Sequence, residues 1–195
     1  MQPIGPLMIE HRLIERMVAL MRQELERIRA NIAVDPEFAF VDPVFIDTAV
    51  DFLRIYADRC HHGKEEDILF AELATKDLAP DLKKTMDDLT AEHVQAREYT
   101  GKLIKAKEGY LRQEPEALDQ ILSYLDQLTS MYPQHIITED RHFFIPCMEY
   151  FTAAEKDAML EKMYEFDRKM IHERYEGVVS AIENRRACGI EHHHD

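Results

Sequence analysis

The fold is decided by residues 60–70, which read Cys60-His61-His62-Gly63-Lys64-Glu65-Glu66-Asp67-Ile68-Leu69-Phe70. Residues 135–144 repeat this pattern: His, three residues, Glu, an acidic residue, two residues, an apolar residue and Phe. A helix advances about 100° per residue, so a His and a Glu four positions apart lie one turn apart on the same face. Two such pairs with matching flanks predict two facing helices of a four-helix bundle, with a carboxylate-bridged pair of metal ions between them.

Composition favours one helical, globular domain. The chain has 195 residues, of which 46% are apolar and 32% charged, with 6 Gly and 8 Pro. We expect a single domain over residues 1–187 and a flexible tail at 188–195. Within the domain, a core bundle of about 5–146 precedes an additional C-terminal helix of about 152–186.

The charge and the cysteines restrict the partners and the compartment. A net charge of −14 argues against nucleic acid and against an anionic membrane surface. No apolar run approaches the length of a membrane span. Cys60, Cys147 and Cys188 are odd in number and widely spaced, which is typical of free thiols in a reducing cytoplasm. We therefore predict a cytoplasmic protein.

Apolar periodicity predicts four bundle helices of alternating direction. Their expected ranges are about 6–32, 43–75, 80–107 and 115–146. The first helix carries a strict four-three spacing, which is typical of a bundle seam: Leu7, His11, Ile14, Val18, Met21, Leu25, Ile28 and Ile32. His93 occupies the matching mid-helix seam position of the third helix. Taken alone, His11 fits either a metal ligand or a core histidine hydrogen-bonded to a neighbouring helix.

The second helix contains two His/Glu pairs in adjacent phases. The inner face that runs through Val50, Leu53 and Ala57 continues to His61 and Glu65. His62 and Glu66 are also four residues apart, but their face is less apolar. We expect His61 and Glu65 to point inward, and His62 and Glu66 to lie behind the ligands or to face solvent.

Other polar residues have roles that the sequence leaves open. Arg97 either closes off the site, pairs with a carboxylate behind the ligands, or forms a surface ion pair. His142 either reaches the rim of the site or stacks among aromatic rings. His172 and Glu176 form a third four-residue pair without the apolar-Phe continuation, so we predict that they lie on the surface. His192–His194 can bind metals opportunistically and are excluded from the site.

The inward residues form a metal-ligand set of four imidazoles and two carboxylates: His11, His61, Glu65, His93, His135 and Glu139. Two buried carboxylates are costly unless they are paired or bound to metal. Each Glu can bridge two metals, with His11 and His61 on one and His93 and His135 on the other. This mixed nitrogen and oxygen set suits iron, manganese or zinc. Iron with an open coordination position binds small diatomic molecules.

These motifs resemble the hemerythrin-like HHE cation-binding family. Residues 61–70 look like its second-helix motif, His135-x-x-x-Glu139 like its fourth, Glu92-His93 like its third and Glu10-His11 like its first, over roughly residues 5–146. The resemblance implies an all-α, up-down-up-down bundle. It also implies a non-haem centre of two iron ions bridged by carboxylates and by an oxo or hydroxo group, with zinc or manganese as substitutes. The six residues above would be the ligands.

One departure bears on the activity. Oxygen-carrying hemerythrins have a second His one turn after the third-helix ligand, where this chain has Arg97. The four-His, two-Glu set is closer to the di-iron proteins tied to nitrosative stress and iron–sulfur repair. Those proteins often carry an additional amino-terminal cysteine-bearing domain that this sequence lacks.

Three functions are compatible with this pattern. We expect a protein that binds or senses O2 or NO, or that handles iron. The alternative is a di-iron enzyme that reduces NO or peroxide or repairs iron–sulfur centres. It would need an external reductant, because no flavin or nicotinamide fingerprint is present. The third is a bundle whose histidines are only structural.

The C-terminal helix either caps the bundle or forms the seam of a homodimer.

Overall fold

The computed structural model describes residues 2–35, 39–168 and 171–190, and within these ranges the secondary structure is helical with no strand. This confirms the all-α fold class predicted from the sequence. The helices are α1 (Ile4–Val34), α2 (43–73), α3 (Pro80–Leu111), α4 (117–147), α5 (Ala153–Asp167) and α6 (Ile171–Ile190). The first four form the up-down-up-down bundle, in which α4 packs along both α3 and α1, and α2 packs against α3.

Local sequence explains where several helices begin. Asp42 caps α2, because its carboxylate accepts hydrogen bonds from the backbone N–H groups of Val44 and Phe45 at 3.0 and 3.1 Å. Pro43 follows as the first helical residue, where its missing N–H costs nothing. Thr152 and Glu155 form a reciprocal capping box at the start of α5.

Two of the bundle helices are widened where they carry the His/Glu pairs. In α2 the segments Leu53–His62 and Glu65–Phe70 are π-helical, and in α4 the segment Glu139–Phe143 is π-helical. π-Helical turns have i→i+5 hydrogen bonds and occur frequently at functional sites. The widened turns therefore coincide with the two repeated sequence motifs.

The apolar core is divided by a polar layer. Along α1, Leu7 belongs to one buried apolar cluster and Ile14 to another, and His11 lies between them. The same arrangement recurs on α3, where Leu89 and Ala96 belong to different clusters on either side of His93. Each histidine is thus held at one depth of the bundle by apolar packing above and below it.

The C-terminal part of the chain packs against the bundle. The helix predicted over 152–186 is present as α5 and α6, and the intervening residues 169–170 are outside the described residues. α5 contacts the 65–70 segment of α2, and α6 contacts α1 and α2. α6 continues to Ile190, and residues 191–195 of the predicted tail are outside the described residues. Among the described helices, none is long and apolar enough to cross a membrane.

Candidate metal centre

All six predicted ligand residues converge in the buried layer of the bundle. They are His11, His61, Glu65, His93, His135 and Glu139, and each is at most 4% exposed. They form two groups whose nitrogen and oxygen atoms lie within 4.8 Å of one another. The first group contains His11, His61, Glu65 and Glu139. The second contains Glu65 together with His62, His93 and His135.

The two glutamates lie between the histidine pairs. Glu65 Oε1 is 3.5 Å from His61 Nε2, and Glu65 Oε2 is 3.4 Å from His93 Nε2. Glu139 Oε2 is 3.1 Å from His11 Nε2 and 3.2 Å from His135 Nε2. Each carboxylate therefore contacts one imidazole from the His11/His61 pair and one from the His93/His135 pair. A bridging ligand needs this placement.

The inward-facing atoms lack ordinary hydrogen-bond partners. Both carboxylate oxygens of Glu65, both of Glu139 and His11 Nε2 are buried and have no hydrogen bond within the described part of the chain. Buried polar groups without partners are rare and costly. Cations bound among these atoms would satisfy them, and a donor set of imidazoles and carboxylates fits a pair of divalent transition-metal ions.

A ring of outer carboxylates orients the four predicted histidines. The Nδ1–H group of each imidazole points to a carboxylate on a neighbouring helix. The pairs are His11 with Asp140 at 2.7 Å, His61 with Glu10 at 2.8 Å, His93 with Glu66 at 2.7 Å and His135 with Glu92 at 2.6 Å. Such bonds favour the tautomer in which Nε2 faces the interior of the bundle, where the Nε2 atoms of His93 and His135 lie 3.2 Å apart.

Glu10, Glu92 and Asp140 were not predicted from the sequence to have this role. A signal was present, because each outer carboxylate directly precedes or follows a predicted ligand in the chain. Glu10 precedes His11, for example, but its carboxylate reaches across to α2. Periodicity along one helix could not reveal a contact that joins two helices.

His62 corrects one expectation. Its side chain is 1% exposed, so the prediction that it faces solvent is wrong. The ring stacks on His93 with 3.9 Å between centroids, and it belongs to the same ligand group as His93 and His135. The physical reason is the π-helical segment Leu53–His62, in which two successive residues can both face the core.

Arg97 forms an ion-pair bridge over this side of the site. Its Nε donates to Asp58 Oδ1 at 2.6 Å, and its Nη2 donates to Glu66 Oε1 at 2.8 Å. Glu66 is also the acceptor of the His93 Nδ1–H group. Of the alternatives for Arg97, the structure shows pairing with a carboxylate behind a predicted ligand.

Two further histidines differ from expectation. His142 is exposed, which argues against the predicted place within an aromatic stack, whereas its predicted place at the rim of the site stays a prediction. His172 was predicted to lie on the surface, but it is half-buried and its Nε2–H points to Asp167 Oδ1 at 2.8 Å. His172 Nδ1 lies 2.9 Å from the Tyr56 hydroxyl. The sequence missed this contact because it depends on how α6 docks on α2.

The electrostatics of the site favour uptake of cations. Burial raises the pKa of Glu65 well above 4.5, and the charge of Glu139 raises it further. Burial would also raise the pKa of Glu139, but the charge of His135 and the closeness of His11 hold it well below 4.5. Burial lowers the pKa of His61 to about 4. Of the two carboxylates, Glu65 is therefore the one that more readily holds a proton, and Glu139 is the one that more readily stays ionised. Cation binding would release that proton.

An all-α bundle with two His/Glu groups in its core defines a helical protein that can hold metal cations. The sequence model of the hemerythrin HHE cation-binding domain family matches residues 2–144, most of the chain, and these residues include all six predicted ligands. The chain belongs to this family. Comparisons with curated proteins and with solved structures gave no match.

Proposed function

We propose that this protein holds two iron ions between its bundle helices and uses them to bind or sense O2 or NO. The observation that supports this most directly is the position of Glu65, whose two oxygens face His61 on one side and His93 on the other. A single structural metal would not need a carboxylate shared between two histidine pairs.

In this proposal the histidines divide between the two ions. His11 and His61 hold one ion, and His93 and His135 hold the other, with Glu65 and Glu139 shared. His62 supplies a third imidazole to the second ion, because it lies within ligand distance of Glu65, His93 and His135. The position one turn after His93 on α3 is occupied by Arg97, which forms ion pairs with Asp58 and Glu66 and cannot bind a cation. The third imidazole therefore comes from α2.

The iron pair would supply electrons and open coordination positions, and the protein controls what reaches it. A cavity of about 70 Å³ borders His62, Tyr132 and Arg97. One water needs about 10 to 15 Å³ of such volume, so this space has room for a diatomic molecule beside His62. Apolar clusters on both sides of the polar layer keep bulk water away from the centre. Buried, free Cys60 and Cys147 are consistent with a reducing cytoplasm.

Metal content and spectroscopy test the proposal. The chain would be purified from iron-supplied cells, with and without residues 191–195, because the tail histidines bind metals opportunistically. We expect about two irons per chain in both forms, and a near-ultraviolet spectrum of the reduced protein that changes on adding O2 or NO. One tightly bound zinc, or no metal with the helices intact, would refute the di-iron proposal.

The same preparation separates binding from catalysis. With an external reductant, and after subtracting the consumption that the reductant causes without protein, a binding or sensing protein takes up NO stoichiometrically and then stops. Continued NO or peroxide consumption over many equivalents would instead assign the alternative, a reductant-dependent di-iron enzyme. Glu183→Gln is a matched control for nonspecific effects on uptake, because Glu183 pairs with Arg16 and contacts none of the proposed ligands or their carboxylate partners.

A further inference from the structure

Lys64 is fully buried. It lies directly before Glu65, between the two π-helical segments of α2. Lysine is almost never fully buried unless its charge is paired, because moving an ammonium out of water is costly. Here the ammonium is paired twice, with Glu10 of α1 and with Asp167 at the end of α5, where the Nζ to Oδ1 distance is 2.7 Å.

One of these partners acts directly on the metal centre. Glu10 uses one oxygen for the Lys64 ammonium and the other for the His61 Nδ1–H group, 2.8 Å away. The carboxylate is 2% exposed, so it has little freedom to turn. Lys64 therefore fixes the carboxylate that fixes the His61 ring.

The other partner comes from outside the family domain. Asp167 lies beyond residues 2–144, and its Oδ1 also accepts a hydrogen bond from His172 Nε2 at 2.8 Å. The hydrogen bond to Asp167 raises the pKa of His172 to about 10, so this imidazole is positively charged at neutral pH. Two cations, Lys64 and His172, thus balance two anions, Glu10 and Asp167, in one connected network.

The same region could be interpreted as a third metal site, because ligand atoms of Cys60, Asp167 and His172 lie within 4.8 Å of one another. The contacts argue against that interpretation. Both ring nitrogens of His172 already have partners, and the Lys64 ammonium beside Asp167 would repel a cation. The charges of the network balance without a metal.

We propose that Asp167 and His172 are positioning residues for the His61 side of the metal centre. Through Lys64 and Glu10, the two C-terminal helices set the orientation and the hydrogen bonding of His61. This inference rests on the proposed metal centre, and it makes the centre asymmetric. The carboxylates behind His93 and His135 are Glu66 and Glu92, whose side chains are 28% and 42% exposed, so that side has no comparable buried support.

Asp167→Asn tests the inference in the full-length protein. The carboxamide keeps the shape of the side chain but removes the charge that anchors Lys64. Loss of a direct outer partner of a ligating histidine costs about 10- to 100-fold in metal affinity. Asp167 acts through Lys64 and Glu10, so we expect the variant to bind iron with one of its two affinities lowered by up to about 10-fold. Its Mössbauer spectrum should show a shift in one of two iron signals. In the metal-free protein, the ¹⁵N signal of His61 Nδ1 should also move.

Glu183→Gln is the matched control. Glu183 lies on α6 and accepts a hydrogen bond from Arg16 Nε of α1 at 3.0 Å, so it also ties the C-terminal part to the bundle, but outside the Lys64 network. We expect its iron affinities, Mössbauer spectrum and His61 signal to match those of the wild type. If Asp167→Asn proves unstable, His172→Gln removes the other anchor of Asp167 and should give the same changes more weakly.

The outcomes separate the inference from the proposed function. Wild-type protein with two irons and an Asp167→Asn variant that behaves like Glu183→Gln would overturn the inference alone. A third wild-type metal equivalent that Asp167→Asn and His172→Gln both lose would overturn it in favour of a metal site. Wild-type protein without iron would refute the proposed function. The inference would then depend on the metal-free protein, and it would be overturned if the ¹⁵N signal of His61 Nδ1 were the same in Asp167→Asn as in the wild type.

Discussion

Replacing Glu65 with glutamine should stabilise the metal-free protein while abolishing its response to iron. Glu65 is fully buried, and neither of its oxygens has a hydrogen-bond partner among the described residues. Its pKa is raised well above 4.5 by burial and by the charge of Glu139, so between pH 4.5 and the raised pKa the folded protein holds a proton there. A carboxamide has nearly the same shape and needs no proton.

The sign of the pH dependence follows from this proton. The unfolded chain releases it near pH 4.5, the ordinary value, whereas the folded chain keeps it up to the raised pKa. Between these two values folding takes up a proton, so wild-type stability falls as pH rises. The advantage of Glu65→Gln is therefore absent below pH 4.5 and grows above it by up to about 1.4 kcal/mol per pH unit.

Iron should reverse the order of stability. A ligand at 100 times its dissociation constant stabilises the folded state by about 2.7 kcal/mol, which is roughly 5 to 11 °C in Tm for a chain of this size. Glu65→Gln cannot bridge two ions and should show no such shift. The assay is thermal unfolding by circular dichroism at pH 5 to 8, under anaerobic conditions, with and without ferrous iron. A metal-free variant less stable than wild type at pH 8, or an equal iron shift in both proteins, would refute this reasoning.

Glu66→Gln, one residue further along, is the internal control. Glu66 accepts the His93 Nδ1–H group and the Arg97 guanidinium rather than facing the proposed ions. The variant should keep both irons, with affinity lowered by about 10- to 100-fold. If Glu66→Gln lost iron and Glu65→Gln retained it, Glu66 rather than Glu65 would be the residue of α2 that binds the metal.

Four further outcomes follow from other contacts. His62→Gln should weaken one of the two irons and leave the other unchanged, as measured by chelator competition. Arg97→Ala removes both ion pairs beside the 70 Å³ cavity, so stopped-flow measurements should show faster NO binding and faster loss of iron. The pKa of His172 is raised from 6.5 to about 10, so the stability that its charge adds is fully present below pH 6.5 and lost as pH rises through 10. Urea unfolding of His172→Gln and wild type should therefore converge above pH 10. Thr152→Ala breaks the capping box of α5 and should cost about 1 kcal/mol in the same assay.

Much of the fold could be predicted because the bundle seam follows a simple rule. A helix whose apolar residues recur every three or four positions buries that stripe, and the predicted seam residues of α1, from Leu7 to Ile28, are indeed buried. A polar residue inside such a stripe must be buried as well. This is why His11 and His93 could be placed at the centre of the bundle from the sequence alone, whereas their role as metal ligands stays a prediction.

The partners of these histidines could not be predicted in the same way, because they depend on how helices face each other. Asp140 is one residue from Glu139 on α4, yet its contact is with His11, 129 positions earlier in the chain. Likewise, Lys64 would be assigned to the surface on composition alone. Only the docking of α5 brings Asp167 to it, and this makes burial of the ammonium tolerable.

The misplacement of His62 has a more specific cause. Assigning inward and outward residues along α2 assumes the constant 100° step of an α-helix, and under that assumption His61 and His62 cannot share a face. The i→i+5 bonding of Leu53–His62 places more residues in each turn, so neighbours are separated by a smaller angle. Nothing in the composition of this segment predicts the widening, because it contains neither Gly nor Pro.

The contacts of the two histidines supply the reason for the wider turn. His61 is hydrogen-bonded to Glu10 of α1 while His62 stacks on His93 of α3, and a wider turn lets both rings reach their partners. A second histidine beside a predicted ligand is therefore best judged by the partners available on both neighbouring helices, not by the phase of its own helix.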